Sequence, residues 1–232
     1  MISLSKKSLE VGWDWEKVKD FTYWKIPDGT VVNLPYYIQK PSAKVLDLGC
    51  GVGRHTIYFA SIGYEVNAMD ISDEAVRSTK EWLDKEGLKA QVEKGQMTKL
   101  PYPDSNFNLV LAYNVIYHAF KHDVIKTITE INRVLKPGGY FFGTILTKDP
   151  NIPFYGTGII DDQTIIKQEE PEKGIPHFFF KIEDVFKLFK NFKFLEMYYK
   201  EWYAPPITIE RVNARKGSGH YILFARKPEE QD

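Results

Sequence analysis

The stretch Val45-Leu-Asp-Leu-Gly-Cys-Gly-Val-Gly-Arg-His-Thr56 constrains this chain more than any other. Lys44 to Gly49 is a short apolar run stopped by glycine, which reads as a buried strand. A Gly-x-Gly-x-Gly turn follows, and a helical pattern runs from Arg54 to Ile62, ended by Gly63. Glycines in such a turn admit positive φ and let a ligand lie against the backbone. The helix N-terminus adds N–H groups with no partner inside the helix. Asp70 ends the next strand about twenty residues on, the separation at which a carboxylate reaches ribose hydroxyls.

The rest of the middle of the chain keeps the same rhythm. Glu65–Asp70 reads as the second strand and Ala90–Gly95 as a weaker third. Phe107–Asn114 reads as a fourth, with the continuous apolar run of a strand covered on both faces. Tyr140–Leu146 reads as the fifth. Between them, Ser72 caps a helix ended by Gly87, and Asp123 caps one stopped by Pro137-Gly138-Gly139. Strands alternating with helices mean a mainly parallel sheet with helices on both faces, an α/β fold. Ligands then bind past the carboxyl ends of the strands, where strand order reverses.

Outside this core the pattern changes. Residues 148–177 hold several prolines and glycines and little periodicity. A helix is expected near 182–190, then strands at 193–203 and 220–226 that pair antiparallel. A helix is also expected near Trp13–Asp20. The stretch Gln168-Glu-Glu-Pro-Glu-Lys-Gly174 reads as solvated surface. One domain is expected over 1–232: a cap at 1–40, a ligand-binding core at 43–147, a lid at 148–180, and a terminal helix and strand pair at 181–232.

Composition removes whole classes. Lys and Arg total 31, as do Asp and Glu, so net charge is zero. That argues against bulk electrostatic binding to nucleic acid or acidic membrane. Cys50 is the one cysteine, so no intrachain disulfide forms and a reducing, cytoplasmic compartment is expected. The leading Met-Ile-Ser-Leu-Ser-Lys-Lys has no apolar h-region, so no signal peptide is expected. No run matches a spanning helix, so no membrane partner is expected. Nothing in the sequence sets an oligomeric state.

The glycine turn departs from two phosphate-binding patterns. Arg54 stands where a dinucleotide fingerprint has its last glycine, and the P-loop lysine is absent. Asp47, two residues before Gly49, suits a cationic amine better than a pyrophosphate. Val45–Thr56 resembles motif I of class I S-adenosylmethionine-dependent methyltransferases. Met69-Asp-Ile-Ser72 resembles the second motif. Gly95-Gln-Met-Thr-Lys-Leu-Pro-Tyr-Pro-Asp-Ser-Asn-Phe-Asn108 and Arg133-Val-Leu-Lys-Pro-Gly-Gly-Tyr-Phe141 resemble two later ones. The set covers about residues 43–147. Within the class, His177-Phe-Phe-Phe180 resembles tellurite-resistance methyltransferases. Leu100-Pro-Tyr-Pro-Asp104 resembles those of ubiquinone and menaquinone biosynthesis.

The resemblance implies a Rossmann-like three-layer sandwich around a mainly parallel seven-stranded sheet, with an antiparallel terminal strand. It implies S-adenosylmethionine as cofactor and a small-molecule acceptor. Asp47 and the backbone of Gly49, Cys50, Gly51 and Gly53 would hold the methionine part. Asp70 would take the ribose hydroxyls and Ile71 would pack on adenine. Gln96 would face the adenine amino group beside the Met97 backbone, and Tyr113 would lie beneath the methyl group. The family usually has Asp where this chain has Gln96.

Methyl transfer from a sulfonium needs alignment more than a catalytic motif. A base is needed only where the acceptor must lose a proton. His118, after strand four, and His177, inside the lid, are the catalytic candidates. His55 reads as helix surface or a local cap. His118 and His122 stand four apart, but no third ligand is evident, so no metal is expected.

Aromatic residues make up 15% of the chain and crowd its two ends, so a pocket wall is expected there. Trp24, Tyr36, Tyr37, Tyr117 and Trp202 are the substrate-binding candidates. Phe178, Phe186, Phe189, Phe192 and Phe194 are expected in the core. Three other readings compete: a cofactor- or partner-binding protein without turnover, which Gln96 would suit; an NAD-linked oxidoreductase; and an RNA methyltransferase. Zero net charge and the absence of an Asn/Asp-Pro-Pro-Tyr motif after strand four count against the last.

Overall fold

A computed structural model describes residues 11–38, 42–148, 154, 158–200 and 218–229. Its strands are β1 (Lys44–Leu48), β2 (Glu65–Asp70), β3 (Gln91–Lys94), β4 (Phe107–Ala112), β5 (Leu135–Lys148), β6 (Thr164–Ile166), β7 (Pro176–Phe178), β8 (Lys193–Lys200) and β9 (Ser218–Arg226). Its helices are α1 (Gly29–Val32), α2 (Arg54–Ser61), α3 (Asp73–Glu86), α4 (Lys121–Val134) and α5 (Ile182–Leu188). Seven strands form one sheet in the order β3-β2-β1-β4-β5-β9-β8. β1 through β5 pair in parallel, and β9 runs antiparallel to both β5 and β8. This is the expected Rossmann-like sheet.

Strand alternation builds the layers. On β1 and β4, Leu46, Leu48, Val110 and Ala112 join one core, with Val124, Ile128, Ile131 and Val134 of α4. Val45, Leu109 and Leu111 join the other, with Phe59 of α2. Successive side chains of a strand point to opposite faces, so a run apolar at every position must be covered twice. α4 supplies the 3–4 spacing that lays one stripe on the sheet. Strand order reverses between β1 and β4, and a crevice opens at their carboxyl ends.

Local signals explain most boundaries. The Ser72 hydroxyl accepts from the Ala75 N–H at 3.4 Å, and Gly87 closes α3 at φ +65°. α4 departs from expectation at both ends. Phe120 rather than Asp123 takes the cap position, and Asp123 lies buried in the first turn. The helix stops at Val134 and extended backbone begins at Leu135, ahead of Pro137.

Other differences lie at the periphery. The segment near Trp13 forms two short 3-10 turns, Trp15–Lys17 and Thr22–Lys25, instead of one helix. The irregular 148–177 region contains the β6–β7 hairpin, whose three-residue strands are too short to show a period. Phe178, Phe189 and Phe192 are core residues, but Phe186 on α5 is 51% exposed. Among the described residues no helix is long and apolar enough to cross a membrane.

Candidate functional site

The crevice is a cavity of about 770 Å³, within the usual range of ligand pockets. β1 and the turn after it form one wall. Met69 O receives both the Gly49 and Cys50 N–H groups, at 2.7 and 3.1 Å. The Asp70 carboxylate receives the Gly51 N–H on Oδ2 and the Ser72 N–H on Oδ1, both at 2.9 Å. Burial pushes its pKa up while these backbone bonds oppose the rise. Gly49 and Gly51 take φ of +69° and +56°. A Cβ at Gly49 would lie 2.4 Å from Val115 Cγ2, and one at Gly51 would lie 2.6 Å from the Trp15 ring. Glycine is therefore required at both.

Asp47 lies beneath the turn, outside the residues that line the cavity. Its Oδ2 accepts from the Thr56 hydroxyl at 2.6 Å. Burial raises its pKa to about 6, opposed by the Thr56 bond and the Arg54 charge. The structure thus gives Asp47 a place under α2, bonded to Thr56. Gly53 also lies outside the lining, packed on Thr79. Gly49, Cys50 and Gly51 do line the cavity.

The adjoining wall carries Asp70, Ile71, Gln96 and Met97 together. The Gly95 N–H, donating to Asp70 O at 2.9 Å, brings the β3 end beside the β2 end. On the far side, Asn114 turns the chain at φ +59°. Thr144 holds that turn, its Oγ1 receiving the Asn114 N–H at 2.7 Å and donating to Asn114 Oδ1 at 2.8 Å. This places Tyr113, Val115, Tyr117 and His118 along the cavity. The Tyr113 hydroxyl donates to Asp28 at 2.7 Å.

The N-terminal segment supplies an aromatic roof. Trp13, Trp15 and Trp24 meet with ring centroids 5.2–5.5 Å apart, and all three line the cavity. Buried Arg54 lies 5.2–5.4 Å from the rings of Tyr23, Trp24 and Tyr113, within cation–π range. Of the five substrate-binding candidates, Trp24 and Tyr117 reach the cavity. Tyr36 is 76% exposed, because its turn buries Leu34 instead. Tyr37 packs on Phe224 of β9 and donates to Glu196 at 3.0 Å, away from the cavity. Trp202 lies outside the described residues.

His118 and His177 come together, with ring centroids 4.5 Å apart. The Phe178 N–H donates to Tyr117 O at 2.8 Å and stitches β7 to the loop after β4. Glu172 completes the corner. Its Oε1 lies 3.2 Å from His177 Nε2 and 3.7 Å from His118 Nε2. His220 of β9 meets the Tyr117 hydroxyl at 3.1 Å. His122 instead sits 67% exposed beside Asp123, and His55 is buried, accepting from the Asp28 N–H at 3.3 Å.

Sequence reading missed Glu172, Arg54 and two of the three tryptophans. Glu172 belongs to the stretch read as solvated surface, yet only 22% of its side chain is exposed. The signal available was Pro171 and Gly174 bending a Glu-x4-His pair back on itself.

Residues 46–143 match the family described as "Methyltransferase domain". A sterol 24-C-methyltransferase of Gibberella zeae is 33% identical over 150 residues, 60% of this chain and 38% of that enzyme. This chain therefore spans well under two thirds of that relative's length. A solved SAM-dependent methyltransferase of Methanosarcina mazei superposes with a TM-score of 0.70 at 20% identity, over 85% of this chain and 98% of that one. TehB of Haemophilus influenzae superposes with a TM-score of 0.64 at 21% identity, over 92% and 65%.

Proposed function

We propose that this chain, whose residues 46–143 match the methyltransferase-domain family, is a class I S-adenosylmethionine-dependent methyltransferase that transfers a methyl group to a small-molecule acceptor. One observation carries this reading. The glycine turn with Asp70, Ile71, Gln96 and Met97 and the corner with Trp24, Tyr117, His118 and His177 share one cavity. A donor and an acceptor can therefore lie in contact, as an in-line displacement requires.

The residues present fit the cofactor. Asp70 offers a carboxylate for ribose hydroxyls, with acceptor capacity beyond its two backbone bonds. Ile71 and Met97 offer apolar contact to adenine, and the Gln96 amide can accept from its amino group without charge. Gly49, Cys50 and Gly51 present bare backbone to the methionine part. The bound sulfonium supplies the activated methyl group. The buried Trp13 Nε1 has no hydrogen-bond partner among the described residues and supports a polar ligand at the roof.

The acceptor half offers two imidazoles, His118 and His177, as the groups that would receive a proton. In this reading the chain works as one unit, the N-terminal segment as cap and the 158–180 region as lid. A cytoplasmic location is part of it, supported by the lone reduced Cys50.

Calorimetric titration with S-adenosylhomocysteine tests the donor half, with NADH in parallel. Micromolar binding of the former alone is expected. Labelled S-adenosylmethionine with an acceptor panel then identifies the product. Binding of NADH alone would overturn the reading, as would folded protein that binds neither.

A further inference from the structure

The His118, Glu172 and His177 corner has an electrostatic problem as it stands. His177 Nδ1 lies 3.2 Å from Ile175 O. A carbonyl oxygen only accepts, so Nδ1 carries the proton of that bond. In the neutral ring, Nε2 then presents a lone pair, aimed at a carboxylate oxygen 3.2 Å away. Among the described residues His118 Nε2 is buried without a hydrogen-bond partner, 3.7 Å from the same oxygen. Three electron-pair donors thus converge with one ligand atom each, all within 4.8 Å of one another.

We propose that His118, Glu172 and His177 form a site for a divalent transition metal of the zinc class, with its open position toward the acceptor half of the cavity. Two imidazoles and one carboxylate are a standard three-ligand set for a site that keeps a position open. Ligands about 2.0–2.1 Å from a tetrahedral zinc lie roughly 3.4 Å from each other, close to the two separations observed. The Ile175 carbonyl fixes the His177 ring and leaves Nε2 free to ligate, the usual outer support of a metal-bound histidine.

The site narrows the acceptor class, and this part rests on the methyltransferase reading. Glu172 neutralises one charge of a divalent ion, so one positive charge remains near the sulfonium. That environment selects an acceptor whose oxygen or sulfur ionises on coordination. With the metal bound, His118 and His177 are ligands and no longer proton acceptors; the O–H or S–H proton leaves to water, and the anionic atom forms the bond to the methyl carbon. The sulfonium S–C bond breaks with its electron pair staying on sulfur. A carbon acceptor with no ligating atom does not use such a site.

Co2+ uptake tests the site without any acceptor. Metal-stripped protein is titrated with Co2+ and followed by visible absorption, then displaced with Zn2+. One equivalent with tetrahedral-type bands is expected. Glu172→Gln and His177→Ala are each expected to weaken uptake at least ~10-fold, in line with the loss of a ligand. Circular dichroism and S-adenosylhomocysteine titration of the same samples report folding and the donor site. Folded wild-type protein that takes up no stoichiometric Co2+ would overturn the metal site, and the corner would then be a hydrogen-bonded His177–Glu172 pair alone. Uptake unchanged in both variants would also overturn it. Failure of S-adenosylhomocysteine binding with Co2+ uptake intact would remove the acceptor class and leave the metal site standing.

Discussion

The Asp70 carboxylate holds the Gly51 N–H at 2.9 Å, so the group proposed to take the ribose also clamps the glycine turn beside it. Recognition and loop geometry are thereby one interaction. Asp70→Asn keeps the shape but loses the charge and one of the two acceptors that receive the Gly51 and Ser72 N–H groups. A hydrogen bond to a charged group contributes roughly 1.5–3 kcal/mol, so S-adenosylhomocysteine binding is expected to weaken about 10- to 100-fold. Asp70→Ala is expected to lose stability as well, because the Gly51 and Ser72 N–H groups both lose their acceptor. Calorimetry with both variants checks this. Unchanged affinity in Asp70→Asn would remove Asp70 from the cofactor site.

Gly49 is a position where the fold tolerates substitution poorly. A left-handed backbone costs an L-residue roughly 1–2 kcal/mol, and the new Cβ would also lie 2.4 Å from Val115. Gly49→Ala is expected to destabilise by more than the backbone cost alone. Adding Val115→Ala removes the Cγ2 contact but keeps Val115 Cβ at 2.7 Å, so it is expected to restore only part of the steric cost and leave the rest. Urea denaturation of the single and double variants separates the two. Full restoration by Val115→Ala would show that the backbone conformation is free to relax.

The donor half was legible because its signals are local. Gly49, Gly51 and Asp70 sit at strand ends that periodicity locates, and their chemistry follows from turn and spacing. Asp47 was legible too, but alternation was not applied to it. It shares a strand face with Val45, under α2, where its Oδ2 accepts from the Thr56 hydroxyl. The acceptor half was only half legible. Trp24, Tyr117, His118 and His177 were singled out, but their meeting depends on β7 pairing with the Tyr117 backbone, a contact between distant segments. Glu172 rides on the same long-range contact and has no periodic signature. Tyr36 and Tyr37 failed because aromatic content does not say which face of a short turn is buried.

Trp15 gives the cofactor site an intrinsic reporter. Its ring lies against Gly51 and meets the rings of Trp13 and Trp24. A ligand on the glycine turn must change its surroundings. S-adenosylhomocysteine is expected to alter tryptophan emission, and Trp15→Phe to remove most of that change. Trp24→Ala is expected to weaken acceptor binding more than cofactor binding, since Trp24 packs near Arg54 instead of on the turn. An emission change of equal size in Trp15→Phe would place the ligand elsewhere in the cavity.

Asp47 should make stability fall with rising pH. Burial raises its pKa from 3.8 to about 6, so between those values the folded chain holds more protons here than the unfolded chain. Stability from this group therefore declines as pH rises through that window and is lowest above about 6. At about 1.4 kcal/mol per unit the cost at neutral pH is on the order of 3 kcal/mol. Asp47→Asn removes the charge and keeps an oxygen for the Thr56 hydroxyl. The variant is expected to gain stability over wild type at about pH 8 and to show little difference at about pH 4. Chemical denaturation at both values measures it. A difference of the same size at both would mean that Asn changes packing or hydrogen bonding rather than relieving a buried charge.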